Sequence, residues 1–312
     1  MISLRGLTKR YGDTVAVDDL TFDIRAGRVT GFLGPNGAGK STTMRMILGL
    51  DHPTRGRALI AGRPYADLRR PLRAVGAMLD ARAVHPARSG RTHLLAQALA
   101  NGIPARRVDE VLEAVGLAKA ARRPAGTYSL GMSGRLGVAG ALLGDPPVLI
   151  LDEPVNGLDP DGVQWIRRLV RDQAAEGRTV FLSSHLMSEM EVTADHLVVI
   201  GRGRLLSDSS LAAFLAAASP ASARASVPDP EGRSTLVGCL TAADGVSVET
   251  SASGELAVDG MSAAEVGDLA HHCSVRLHAL SDVRVSLEQA YMNLTARSVE
   301  YVSGATEERG QQ

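Results

Sequence analysis

Residues Gly34, Pro35, Asn36, Gly37, Ala38, Gly39, Lys40, Ser41 and Thr42 fit the phosphate-loop pattern G-x-x-x-x-G-K-[ST] at every fixed position. Glycines let a backbone curl round an anion with no Cβ in the way. Successive N–H groups and the N-terminus of a following helix then point at phosphates. In this pattern Lys40 meets the β- and γ-phosphates and the Ser41 hydroxyl ligates Mg²⁺. A second group lies downstream, where the apolar run Val148 to Leu151 ends in Asp152 and Glu153. A carboxylate at such a strand tip suits a Mg²⁺ ligand beside a phosphate loop. The residue after it suits polarising a water for in-line attack on a γ-phosphate. Together the two groups describe a candidate nucleoside triphosphatase.

These residues need elements to position them. Val29 to Leu33 is apolar and reads as a strand, and Ser41 to Leu50 as a helix, so strand, loop and helix follow in the order the motif requires. Ile2 to Lys9 and Leu20 to Ile24 read as two further strands, with turn chemistry at Asp13-Thr14 and Ala26-Gly27. Ala58 to Ala61 and Val75 to Leu79 read as short strands. From about Ser89 to Leu143 the pattern turns helical, with Val108, Val111, Leu112 and Val115 at i, i+3, i+4, i+7. Val148 to Leu151 is continuously apolar, as buried parallel strands are. A helix over Asp161 to Glu176, a strand over Thr179 to Ser183, a helix over Leu186 to Val192 and a strand over Leu197 to Ile200 follow. This alternation predicts an α/β fold with a mainly parallel sheet and helices on its faces. After about Leu215 the composition shifts. Residues 216–233 are rich in Ala, Ser and Pro and read as linker. A small α+β unit is expected beyond: helix 234–243, strands 246–250 and 255–258, helix 263–272, strand 275–280 and a last helix 286–295, before a tail at 301–312.

The 312 residues carry 34 Lys plus Arg and 34 Asp plus Glu. No bulk charge therefore attracts nucleic acid or an anionic bilayer. The amino terminus lacks the long apolar core of a signal peptide, and no apolar run approaches the ~20 residues of a membrane helix. A membrane role would have to come through a partner. Two cysteines, Cys239 and Cys273, lie far apart without ligand spacing, which predicts a reduced chain. His271, His272 and His278 lack the spacing of zinc patterns and read as solvated.

The chain resembles the ATP-binding subunit of ABC transporters over residues 1 to about 215, with motifs in that family's order. Residues 34–42 resemble its Walker A motif and Val148 to Glu153 its Walker B. Asn156-Gly157-Leu158-Asp159 resembles its D-loop, and His185 its switch histidine. Tyr11 resembles the aromatic residue that stacks on adenine, and Tyr128-Ser129-Leu130-Gly131-Met132 its signature. The resemblance implies a P-loop ATPase domain with an antiparallel β subdomain and a helical subdomain at about 86–145. It implies ATP and Mg²⁺ as ligands, with Glu153 as general base and His185 holding the γ-phosphate and water. It also implies head-to-tail pairing with a second ATPase subunit, a homodimer on the simplest reading. Ser129 and Gly131 would then cap the ATP held by the partner, and the pair would drive a separate membrane permease from the inner face of the plasma membrane.

Leu130 and Met132 stand where Gly and Gln are commonest in the family. This Ser-Leu-Gly-Met form resembles antibiotic and bacteriocin exporters of the bacitracin-resistance and daunorubicin-export type, which implies drug, antibiotic or peptide efflux. That subgroup commonly continues with a basic residue and Gln, where this chain has Ser133-Gly134. Asp80 stands where the family's Q-loop has a metal-reaching Gln, and 81–89 would be the loop facing the permease. Residues 286–295 resemble the closing helix of drug-export ATPases. Two alternatives stay open at this level: a soluble ABC-type ATPase not linked to transport, and a module that occludes ATP with little hydrolysis.

Overall fold

The computed structural model describes residues 1–80, 83–218, 221–251, 253–283 and 285–295, and these divide into two compact units, one over 1–211 and one over the described residues from 212 onward.

The first unit begins with β1 (Ile2–Tyr11) and β2 (Thr14–Ile24), a hairpin whose apolar residues face one core. β2 starts at Thr14, well before the expected Leu20, because β1 pairs with it along almost its whole length, through bulges that keep Leu7 opposite Leu20. Strand β3 (Arg28–Leu33) leads through the glycine-rich loop into α1 (Lys40–Ile47). β4 (Arg55–Ile60) returns to pair with β1, giving the antiparallel sheet β2-β1-β4. The short helix α2 (Pro71–Ala74) and β5 (Val75–Met78) follow.

Three helices come next: α3 (Gly90–Ala100), α4 (Arg106–Ala114) and α5 (Leu130–Leu142). Val108, Val111, Leu112 and Val115 are all buried, as their spacing predicts. Then come β6 (Val148–Leu151), α6 (Pro160–Ala175), β7 (Thr179–Ser183), α7 (Met187–Thr193), β8 (His196–Gly201) and β9 (Arg204–Ser210). The six-stranded sheet has the order β5-β6-β7-β3-β8-β9, parallel except for β9, which turns back against β8. Phe22, Phe32 and Phe181 stack at the centre of the core with ring centroids 5.0–6.5 Å apart. The chain is therefore α/β, with a mainly parallel sheet beside an antiparallel one.

This order matters for chemistry. β7 lies between β6 and β3, in register Leu151↔Leu182 and Phe32↔Ser183. The loops at the carboxyl ends of these three neighbours therefore meet, where ligands bind in open α/β sheets.

After α8 (Leu211–Ala218), the second unit runs β10 (Ser222–Ser226), α9 (Pro230–Thr241), β11 (Ser247–Thr250), β12 (Glu255–Asp259), α10 (Ala263–His272) and β13 (Ala279–Asp282). The sheet order β11-β12-β10-β13 and all-antiparallel pairing make this a split β-α-β-β-α-β motif. The stretch expected as linker thus carries a central strand and the start of α9. Ala223 and Ala225 are fully buried, so side chains too small to read as core form it. The last strand lies at 279–282 instead of 275–280. Cys239 on α9 and Cys273, which caps α10, form a disulfide. This corrects the expectation of reduced thiols, since the two helices pack together and bring cysteines 34 residues apart within reach. Residues 287–295 are helical, while 296–312, including the expected tail, lie outside the described residues.

Candidate functional site

The loop from Gly34 to Gly39 leaves the buried end of β3 and turns into α1. At Gly39 φ is +103°, a conformation side-chain-bearing residues rarely adopt, and a Cβ there would sit 2.5 Å from the Ala16 carbonyl oxygen. Gly39 is also the N-cap of α1 and offers no side chain to cap it. The first N–H groups of that helix are thereby left to a ligand, which the helix dipole favours if it is an anion.

Lys40 is only 8% exposed. Its Nζ donates to the carbonyls of Gly34 (2.6 Å) and Pro35 (3.3 Å), so the ammonium is folded back over the loop. Burial pulls its pKa below the usual lysine value, opposed by the nearby charges of Glu153 and Asp152.

From the end of β6, Asp152 reaches across to α1: its Oδ2 accepts from Ser41 Oγ at 2.7 Å. Its other oxygen, Oδ1, accepts from Ser183 Oγ at the tip of β7. Glu153 has φ +51°, an uncommon left-handed backbone for a residue with a side chain. That turn sends its carboxylate to His185, where Oε2 lies 2.7 Å from Nδ1 and 3.3 Å from the backbone N–H. Ala16, residues 35–42, Asp152 and Glu153 line one open cleft of about 370 Å³, within the range that holds a small ligand. Ser41 Oγ and the Asp152 carboxylate are hard oxygen donors 2.7 Å apart, a set that fits Mg²⁺, which keeps several waters and takes few protein ligands. Among the described residues no cluster of three or more His, Cys, Asp or Glu side chains is arranged for a metal, and the histidines of the second unit form none.

Tyr11 sits at the rim of this cleft beside Thr42, and the other expected residues lie outside its lining. Tyr11 is 49% exposed at the end of β1, its hydroxyl donating to Asp51 (3.0 Å) and its ring beneath Lys9 Nζ (4.8 Å). Ser129 is the N-cap of α5 and accepts from Met132 N–H at 3.2 Å. Leu130 and Gly131 begin that helix against the loop after β6. The Leu130 side chain fills the notch at Gly157, where a Cβ would come within 2.1 Å of it. None of residues 129–132 lines the phosphate-loop cleft; Leu130 instead lines a second cleft with Val84, Pro86 and Tyr128. Asp159 caps α6 through Gly162 N–H at 2.9 Å. Asp80 is exposed just beyond β5, and residues 81 and 82 of the adjoining loop lie outside the described residues. Sequence reasoning missed Ser183, which joins Asp152 and Glu153. The one available signal was a hydroxyl as the last residue of a strand otherwise wholly apolar after Thr179.

Comparison with known proteins places this geometry. A model of the ABC transporter family matches residues 17–156, and a domain of unknown function (DUF8746) matches residues 210–288. The bacitracin transport ATP-binding protein BcrA of Bacillus licheniformis is 44% identical over 211 residues, covering 67% of this chain and 69% of that protein. The lantibiotic transport ATP-binding protein SrtF of Streptococcus pyogenes is 36% identical over 206 residues, covering 66% of this chain and 89% of that one. A solved structure described as the ATP-binding subunit of an ABC transporter superposes with a TM-score of 0.64 at 27% identity, covering 70% of this chain and 92% of that one.

Proposed function

The chain belongs to the ATP-binding, ATP-hydrolysing subunits of ABC transporters, and from that premise we propose that it powers efflux of an antibiotic or peptide through a separate membrane permease. The observation that carries the hydrolytic part is the convergence of Lys40, Ser41, Asp152, Glu153 and His185 at the carboxyl ends of three adjacent strands. The export part rests on the relatives, whose names specify bacitracin and lantibiotic transport.

In this reading the amides of residues 37–42 and the Lys40 ammonium hold the β- and γ-phosphates of ATP, and Tyr11 offers its exposed ring to adenine. Ser41 and Asp152 hold Mg²⁺, which supplies charge neutralisation on the phosphates. Asp80 would accept a hydrogen bond from a water on that ion. Glu153 accepts a proton from the attacking water as general base. His185, already bonded to Glu153 through Nδ1, holds that carboxylate and the water in line. Ser129, Leu130, Gly131 and Met132 line no part of their own chain's cleft. A second copy, paired head-to-tail through the Asp159 loop, would present them to the γ-phosphate from the start of α5. No helix among the described residues is long and apolar enough to cross a membrane. If a permease holds it, as the transport reading requires, the subunit would work at the inner face of the plasma membrane.

Cells carrying Lys40→Met in place of the native chain test the export reading. They should become more sensitive to peptide antibiotics and accumulate more of them. Unchanged sensitivity and accumulation across drugs and peptide antibiotics would count against it.

A further inference from the structure

We infer that Ser183 is a positioning residue for ATP hydrolysis, the single side chain that sets both Asp152 and Glu153; this rests on the ATPase reading above. Ser183 is the last residue of β7, the strand lying between the one that carries the phosphate loop and the one that ends in the two acids. It is fully buried. A hydroxyl has one proton to give and lone pairs to accept with. Here the direction of both bonds is fixed by the partners. The Glu153 backbone N–H is only a donor, so Oγ accepts from it, at 2.9 Å. The Asp152 carboxylate is only an acceptor, so the Ser183 proton goes to its Oδ1.

The first bond pins the amide of a residue whose backbone sits at φ +51°. Held there, Glu153 turns its carboxylate back to within 2.7 Å of His185 Nδ1, two residues beyond Ser183 on the same chain segment. The second bond occupies the Asp152 oxygen facing β7 and leaves Oδ2 for Ser41. One hydroxyl thus orients the general base through its backbone and the metal-binding carboxylate through its far oxygen, while not itself lining the phosphate-loop cleft. Ser183→Ala would leave a part-buried N–H without its acceptor, in a turn that side-chain-bearing residues avoid without such support. The backbone of Glu153 would relax and its carboxylate would leave the line of attack. ATP binding, which depends on residues 35–42, would be nearly untouched.

The test compares wild type, Ser183→Ala, Ser183→Thr and Glu153→Gln in steady-state ATP hydrolysis, with nucleotide affinity by equilibrium dialysis. Amide hydrogen exchange at Glu153 is followed in nucleotide-free protein. Ser183→Ala should lower kcat about 10- to 100-fold, equivalent to roughly 1.4–2.7 kcal/mol in the barrier, with KM and ATP affinity within about threefold of wild type. Its Glu153 amide should exchange at least about tenfold faster, and Ser183→Thr, which keeps the hydroxyl, should restore much of both. Unchanged kcat or unchanged Glu153 exchange in Ser183→Ala would overturn the assignment, as would a loss of ATP affinity matching the loss of rate. Wild-type protein with no turnover would count instead against the ATPase reading, and the exchange measurement would still decide whether Ser183 holds Glu153.

Discussion

Lys40→Met separates what the phosphate loop needs in order to fold from what it needs in order to bind. The substitution keeps the buried stem of Lys40 and removes its charge. In the empty protein the ammonium makes two bonds to backbone carbonyls, at 2.6 and 3.3 Å, but burial depresses its pKa, so the site is a poor host for that charge on its own. The lost hydrogen bonds and the relieved desolvation oppose each other, and the variant should unfold within about 1 kcal/mol of wild type, or ~2–4 °C. With ATP the balance changes. ATP at 100 times its Kd stabilises wild type by about 2.7 kcal/mol, or roughly 5–11 °C for a unit of this size. Losing a charge-assisted contact to phosphate removes about 1.5–3 kcal/mol of affinity. At the same ATP concentration the gain should shrink to roughly 0.3–1.3 kcal/mol, or about 1–5 °C. Thermal unfolding with and without ATP reads both numbers. The pH dependence has a fixed sign. Burial lowers the Lys40 pKa in the empty site and phosphate raises it again, so at alkaline pH, below the ordinary lysine value of ~10.4, ATP binding should take up protons in wild type and not in Lys40→Met. Calorimetry in two buffers of different ionisation enthalpy measures that uptake. A variant that keeps the full thermal gain from ATP, or an empty variant destabilised by more than about 10 °C, would refute the reasoning.

Gly39→Ala should cost more than Gly37→Ala. Both sit at positive φ, but only at Gly39 does a Cβ meet a backbone oxygen, at 2.5 Å, while nothing lies within 4 Å of one at Gly37. Chemical denaturation should show about 1–2 kcal/mol lost at Gly37 and at least ~1 kcal/mol more at Gly39, and equal losses would contradict the geometry. Ser129→Ala removes the cap of α5 and should cost about 1 kcal/mol in the unfolding free energy of the isolated chain. If Ser129 also faces the partner's ATP, hydrolysis should fall by much more than that loss explains, and a proportionate fall would leave Ser129 only a helix cap.

The chemistry was legible in the sequence where spacing is fixed by covalent geometry. The phosphate loop, Asp152 and Glu153 could be read because the strand before each is short and mostly apolar and each motif follows its strand without a gap. What failed was whatever depends on neighbours distant in the chain. Ser183 is one serine among many until β7 is known to lie between β3 and β6. β9 went unread because Arg204 to Ser210 is a polar edge strand with no fully buried residue. β10 was lost among Ala, Ser and Pro because its core residues are Ala223 and Ala225. Leu130, an anomaly by comparison with the usual signature, has its counterpart in Gly157, whose missing Cβ makes room for it.

The claim that Glu153 drives hydrolysis from this cleft is tested most directly by turnover of the purified chain with ATP and Mg²⁺ beside a Glu153→Gln variant, with the association state followed by light scattering. The account predicts steady hydrolysis by wild type. Glu153→Gln should lose about 10²–10⁴-fold in rate while retaining ATP and accumulating as an ATP-bound dimer. Hydrolysis by Glu153→Gln at the wild-type rate would contradict it.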